Sequence, residues 1–247
     1  HLILTRLTLQ RPLVGPIRRA QESVAVPLPG LGEPTQVLLN EPGTQVLVGT
    51  SQGWLIRWRI PAAGAPELVE TVEAVPGGSV TALAYVLGDR SIAVGGSDGS
   101  VATWSPVREE GHGDGWRWTR IHPFPSHPAA VTAIAPSPRD KGFITASADG
   151  TMSLHYMTSE RTLGRWMAGP SPSAALFSPK ANGSLAVDGD GRLSHWRIHN
   201  PHPEVSLRAL FGSMWYEGYE KPGYIWQSTG GTDDFESKFS LVPLVFG

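Results

Sequence analysis

Apolar and polar residues alternate with a period of two through many short runs of this 247-residue chain. That period belongs to β-strands with one buried face. Val80-Thr81-Ala82-Leu83-Ala84 and Val131-Thr132-Ala133-Ile134-Ala135 are nearly the same string, 51 residues apart. Between residues 66 and 104 the runs predict four strands, at 68–74, 80–85, 91–95 and 100–104. Asp98-Gly99 joins the last two, and its glycine supplies the positive φ that a tight hairpin needs.

The turn recurs. Gly53, Gly99, Gly150 and Gly191 are spaced by 46, 51 and 41 residues, and Asp98, Asp149 and Asp190 precede three of them. Five residues after each glycine stands Trp58, Trp104, His155 or Trp196. The strands upstream keep the same offsets: Ser137-Pro138 and Ser178-Pro179 are 41 apart, as are Gly150 and Gly191. Four strands in each unit of 40–50 residues is the blade of a β-propeller. The units resemble degenerate WD repeats, with tryptophan at the usual place but neither the following Asp nor the usual Gly-His dipeptide. The predicted fold is therefore all-β, with about four full blades (22–60, 66–104, 115–156 and 161–198) and partial blades at the ends. Residues 1–10 read as one strand of an incomplete blade, and Glu204–Phe211 as the outer strand of a blade that does not follow. Missing blades before His1, or a homodimer of the isolated domain, would cover the open ends.

Composition narrows the chemistry. Gly and Pro make up about a fifth of the chain, with nine Trp and no Cys. Thiol catalysis, disulfides and cysteine zinc sites are excluded. A net charge of −2 argues against a nucleic-acid partner held by phosphate contacts. No run reaches the ~18 apolar residues of a membrane span, although Leu241–Gly247 is apolar apart from Pro243 and Gly247.

From Phe211 the repeat ends and a different text begins. Trp226-Gln227-Ser228-Thr229-Gly230-Gly231-Thr232-Asp233-Asp234-Phe235, running on to Leu241-Val242-Pro243-Leu244-Val245-Phe246-Gly247, resembles the segment before the permease core in phosphate-type ABC transporter permeases of Gram-negative bacteria. The resemblance implies that residues 1–210 are a periplasmic insert of an inner-membrane protein, and that 211–247 lead to a transmembrane helix. It implies contact with other transporter subunits and with the periplasmic phosphate-binding protein, no cofactor, and ATP hydrolysis on a separate subunit. Phe235, Phe239, Val242 and Phe246 have the spacing of one helical face, with Asp233 and Asp234 placed to cap it and Pro243 in conflict with it.

Other motifs reduce to structure. Gly95-Gly96-Ser97-Asp98-Gly99 has the nucleophile-elbow pattern, but a blade turn lies where that motif needs strand-then-helix. His195 and His199 lie about 13 Å apart on a strand, too far to share a metal. His112, His122 and His127 fall in a Gly/Pro-rich stretch, and His155 reads as a buried substitute for tryptophan. Arg57, Arg59, Arg192 and Arg197 flank the tryptophans and have the chemistry for phosphate. Alternating outward charges that stack on the aromatic positions are the reading the pattern favours. Residues 228–232 offer hydroxyls and amides to an anion, next to two repelling aspartates. No catalytic, cofactor or metal site emerges. The reading is a non-catalytic domain for protein contact in phosphate uptake; a stand-alone WD-repeat scaffold and a small-ligand propeller are the alternatives.

Overall fold

The computed structural model describes residues 2–12, 15–62 and 64–246; His1 and Gly247, the two ends of the sequence reading, lie outside them. The chain opens with a long antiparallel hairpin, β1 (Leu2–Gln10) and β2 (Arg18–Val26). Three four-stranded meanders follow. The first is β3 (Pro34–Leu39), β4 (Gln45–Thr50), β5 (Trp54–Arg59) and β6 (Glu67–Glu73). The second is β7 (Val80–Tyr85), β8 (Ile92–Gly96), β9 (Val101–Arg108) and β10 (Trp116–Phe124). The third is β11 (Val131–Pro136), β12 (Gly142–Ser147), β13 (Thr151–Tyr156) and β14 (Arg161–Met167). The fourth sheet has three strands, β15 (Ala174–Phe177), β16 (Gly183–Val187) and β17 (Leu193–Arg197).

The sheets stack face to face, with their first strands side by side: β3 touches β7, β7 touches β11, and β11 touches β15. Side chains of these strands cross to the next sheet, as where Gln36 Nε2 donates to Thr81 O at 3.0 Å. Each interface is its own apolar layer. Leu47, Leu55, Ile92 and Trp104 fill the first, Ala93, Phe124, Val131 and Phe143 the second, and Ile144, Met152, Leu154 and Ala186 the third. Val26 closes the face of the first sheet against Val46, Val48, Ile56 and Trp58. Among the described residues no strand joins the fourth sheet back to the hairpin, so the blades form an open arc.

Three expectations need correction. The repeat units are not the sheets: the first strand of each unit hydrogen-bonds to the sheet before it, as β6 does with β5. Units 66–104, 115–156 and 161–198 therefore each straddle two sheets, out of phase by one strand. Residues 204–211 are not a strand. Ser206 Oγ accepts from Ala209 N at 2.9 Å and caps α1 (Leu207–Phe211), while Ser159 Oγ donates to Pro203 O at 2.7 Å. The apolar spacing from Phe235 to Phe246 is not one helix either. β19 (Lys238–Phe239) pairs with β18 (Trp226–Gln227), and only α2 (Val242–Phe246) is helical. Pro243 then lies in the first turn of α2, where its missing N–H has no intrahelical partner to lose. No helix among the described residues is long and apolar enough to cross a membrane.

Candidate interaction surface

The recurring positions occupy equivalent places. Gly53, Gly99, Gly150 and Gly191 all take left-handed backbone in the turn between the second and third strands of their sheets. Trp58, Trp104 and His155 are buried on the third strands, and Trp196 is half-buried. Asp98 Oδ1 accepts from Ser100 N and Oγ, and Asp149 Oδ1 from Thr151 N and Oγ1. Asp190 does not repeat this. Its own N–H donates to Asp188 Oδ1, which also takes Arg192 N at 2.8 Å. Asp98-Gly99 joins β8 to β9, strand to strand, so Ser97 stands on no nucleophile elbow.

His155 is a link in a chain of hydrogen bonds that runs from Thr151 to Thr162. Thr151 Oγ1 meets His127 Nδ1 at 2.9 Å, His127 Nε2 meets Thr145 Oγ1 at 2.8 Å, and Thr145 Oγ1 meets His155 Nε2 at 2.9 Å. His155 Nδ1 reaches Thr162 Oγ1 at 3.0 Å, and its ring lies 4.9 Å from Phe124 and 5.0 Å from Phe143. Burial pushes His155 down to about 3 and lowers His127 as well, so both rings are neutral at pH 7. The sequence reading missed His127, which looked like its loop neighbours. A hydrogen-bonding residue four positions before the Val131-Thr132 strand was the available signal.

Two candidate arginines already have acidic partners, Arg57 inside the fold and Arg59 at its surface. Arg57 is buried. It donates to both oxygens of Asp114 at 2.8 and 3.0 Å and to Trp116 O, and its Nε lies 3.3 Å from Glu70. Glu70 also accepts from Trp118 N, and burial raises its pKa. Burial works against the Asp114 carboxylate too, but the Arg57 hydrogen bond and charge outweigh it and hold that pKa low. Arg59 pairs with Glu67. Arg192 and Arg197 stay exposed, as do His195 and His199.

The tail is fastened by buried charge. Lys141 Nζ, from the turn before β12, donates to Glu217 Oε2 and to Leu87 O, both at 2.6 Å. Glu236 accepts from Thr158 Oγ1 at 2.9 Å and from Glu217 N at 2.8 Å. Lys238 Nζ donates to Glu236 O and lies 4.6 Å from the Phe235 ring centroid. Lys141, Glu217, Glu236 and Lys238 are all buried. Burial first, then the Glu217 charge, pushes Glu236 up to about 7. The folded chain therefore keeps this proton to higher pH than the unfolded chain does. The associated stability is full below about pH 4.5 and declines as pH rises through about 7. Relative to Glu236→Gln, the parent chain should lose about 3 kcal/mol between those limits in urea titrations. Parallel stability curves for the two proteins would show that Glu236 titrates normally.

At the turns that follow the first strands of the first three sheets lies an open cleft of about 970 Å3, lined by Glu41, Asp89, Arg139, Asp233 and Asp234 among others. Its carboxylates outnumber its one guanidinium, which opposes anion binding. Residues 228–232, the other anion candidate, carry no regular structure between β18 and β19. Leu207, Phe211, Leu244, Val245 and Phe246 are exposed on α1 and α2, which Leu241 N ties together through Leu210 O at 2.8 Å.

The WD domain, G-beta repeat family matches residues 118–155. That span runs from β10 through β13, one strand of the second sheet and three of the third, so it follows the repeat unit 115–156 and is offset by one strand from the hydrogen-bonded sheets. These are WD-like propeller blades. A solved structure described as the computationally designed Ika8 protein (crystal packing No.1 in P63) is similar over 67% of this chain, at 23% identity and a TM-score of 0.54. The chain spans 46% of that protein's length. At this identity the likeness concerns the fold alone. No curated protein matches the chain. A WD repeat is a protein-interaction scaffold, and the four WD-like sheets here offer that kind of surface.

Proposed function

We propose that this chain is a non-catalytic protein-contact module, and that it is the periplasmic insert of a phosphate-type ABC permease. The observation that carries the reading is the latched tail. A segment that resembles the approach to a permease core is fixed to the propeller by the Lys141–Glu217 pair and Glu236, and it displays the apolar residues of α1 and α2. A rigid connection of this kind suits a domain that transmits contact at its blades to whatever follows its C-terminus. The acidic cleft, the buried pairing of Arg57 with Asp114 and Glu70, and the surface pairing of Arg59 with Glu67 favour contact over phosphate capture. The partners are the other transporter subunits and the periplasmic phosphate-binding protein.

Interferometry with the purified phosphate-binding protein tests the contact. Saturable binding to the 247-residue chain is expected, with no calorimetric signal for inorganic phosphate. Micromolar phosphate binding by the chain alone would overturn the non-catalytic contact role. Absence of binding to the phosphate-binding protein and to the reconstituted permease would overturn the transporter assignment and leave a WD-repeat scaffold of another assembly.

A further inference from the structure

The fourth sheet stops one strand short. β17 pairs with β16 along one edge, and no strand among the described residues pairs with the other. The three complete sheets state what such an edge accepts. In each, the fourth strand runs antiparallel to the third and skips one residue at the same place. Val69 is skipped between the partners of Trp58 and Arg57, Ile121 between those of Trp104 and Thr103, and Leu163 between those of His155 and Leu154. The skipped residue is aliphatic all three times. A bulge of this kind pins register, because a slip of one residue turns every side chain to the opposite face. Trp196 and His195 hold the corresponding positions in β17.

Charge narrows the choice further. In the first sheet, Arg59 and Arg57 on the third strand pair with Glu67 and Glu70 on the fourth. Arg197 stands where Arg59 does, one residue after the tryptophan, and His195 stands where Arg57 does. Arg197 is exposed and enters none of the ion pairs among the described residues. Residues 192–197 contain no acid, and Leu193 is 65% exposed. The segment that follows β17 does not fill the edge. Val205 O accepts from Arg161 Nη1 at 2.7 Å, Arg208 pairs with Glu160, and 207–211 is helical, which commits that segment to the third sheet.

We propose that the free edge of β17 takes an extended acidic segment of a separate protein as its antiparallel fourth strand. A glutamate of that segment faces Arg197, and an aliphatic residue bulges between the partners of Trp196 and His195. The inference rests on the protein-contact reading and names the partner's chemistry: acid, aliphatic, aliphatic, acid, as in Glu67-Leu68-Val69-Glu70. Main-chain hydrogen bonds along the edge supply the binding, while the bulge and the charge set its register.

The probe is a synthetic peptide with the sequence of Pro66–Ala74, added to the 247-residue chain. Hydrogen exchange should slow at 193–197 and nowhere else, and fluorescence anisotropy should saturate. Deleting the Val69 equivalent from the peptide should abolish binding, since the remaining side chains then face the wrong way. A peptide with Glu67→Lys should bind about fivefold more weakly, and Arg197→Glu in the protein should reverse that order. Any of three results overturns the proposal. One is no protection at millimolar peptide. Another is protection indifferent to the bulge and to both charge reversals. The third is an edge already protected without peptide, either by a second copy in a sedimenting dimer or by a longer parent chain. Such a failure leaves the interferometry result untouched, so loss of this edge and loss of the contact role are separately visible.

Discussion

Lys141→Ala lowers stability by about 3–5 kcal/mol, the cost of stranding buried charge when one partner of a pair is removed. Lys141 Nζ is 2.6 Å from both Glu217 Oε2 and Leu87 O, in a site with side-chain exposures of 2% and 4% for the lysine and the glutamate. Without the ammonium, Glu217 faces Glu236 across the Glu217 N–Glu236 Oε2 hydrogen bond with Lys238 as the nearby cation. Glu236, whose pKa burial already raises, can answer only by keeping its proton, so the loss should be smaller at pH 5 than at pH 8. Hydrogen exchange should show residues 214–240 opening before the sheets do, since Lys141 and Thr158 hold that segment to the third sheet. Lys141→Met separates charge from packing, because it keeps most of the stem. If methionine restores the stability measured in urea, the lysine acts by filling space and the ion pair contributes little.

The latch was illegible in the sequence for a physical reason. Lys141 and Glu217 are 76 residues apart, Thr158 and Glu236 are 78 apart, and each lies in a turn or loop of polar residues that reads as surface. Nothing local marks a loop lysine as buried. The blades were legible because their cues are local: alternating strands, turn glycines and aromatic positions on the third strands. Their phase was not, because pairing of β6 with β5, and not with β7, is decided between strands that follow one another at similar distances in the chain. Residues 204–211 failed for a related reason. Val205, Leu207, Ala209 and Phe211 alternate as a strand would, but Ser206 offers the first turn of a helix a capping oxygen and Glu160 holds Arg208. In the repeat positions, Asp190 was chosen by its place before a glycine, whereas Asp188 makes the turn's hydrogen bonds.

Equivalent glycines should respond unequally to alanine, and the difference measures what lies over each turn. Gly99 and Gly191 share left-handed backbone, with φ of +81° and +77°. Either substitution therefore carries the ~1–2 kcal/mol penalty of placing Cβ in that region. Gly191→Ala should cost little more, because nothing lies within 4 Å of the added carbon. Gly99→Ala should cost more than about 3 kcal/mol. Its Cβ would fall 2.1 Å from His127 O and 2.9 Å from Ala129 O, both backbone atoms of the connector to the third sheet. That connector cannot simply withdraw. His127 N donates to Gly99 O at 2.9 Å, and the His127 ring is held by Thr145 and Thr151 at 2.8 and 2.9 Å. A shift large enough to admit the methyl would break the chain that also fixes His155 against Phe124 and Phe143. Urea midpoints of the two variants decide the matter. Equal losses would mean that packing of one blade's turn against the next connector contributes nothing. A large difference would locate much of the arc's stability at the joints between sheets, and Gly191 at a joint that no further sheet covers among the described residues.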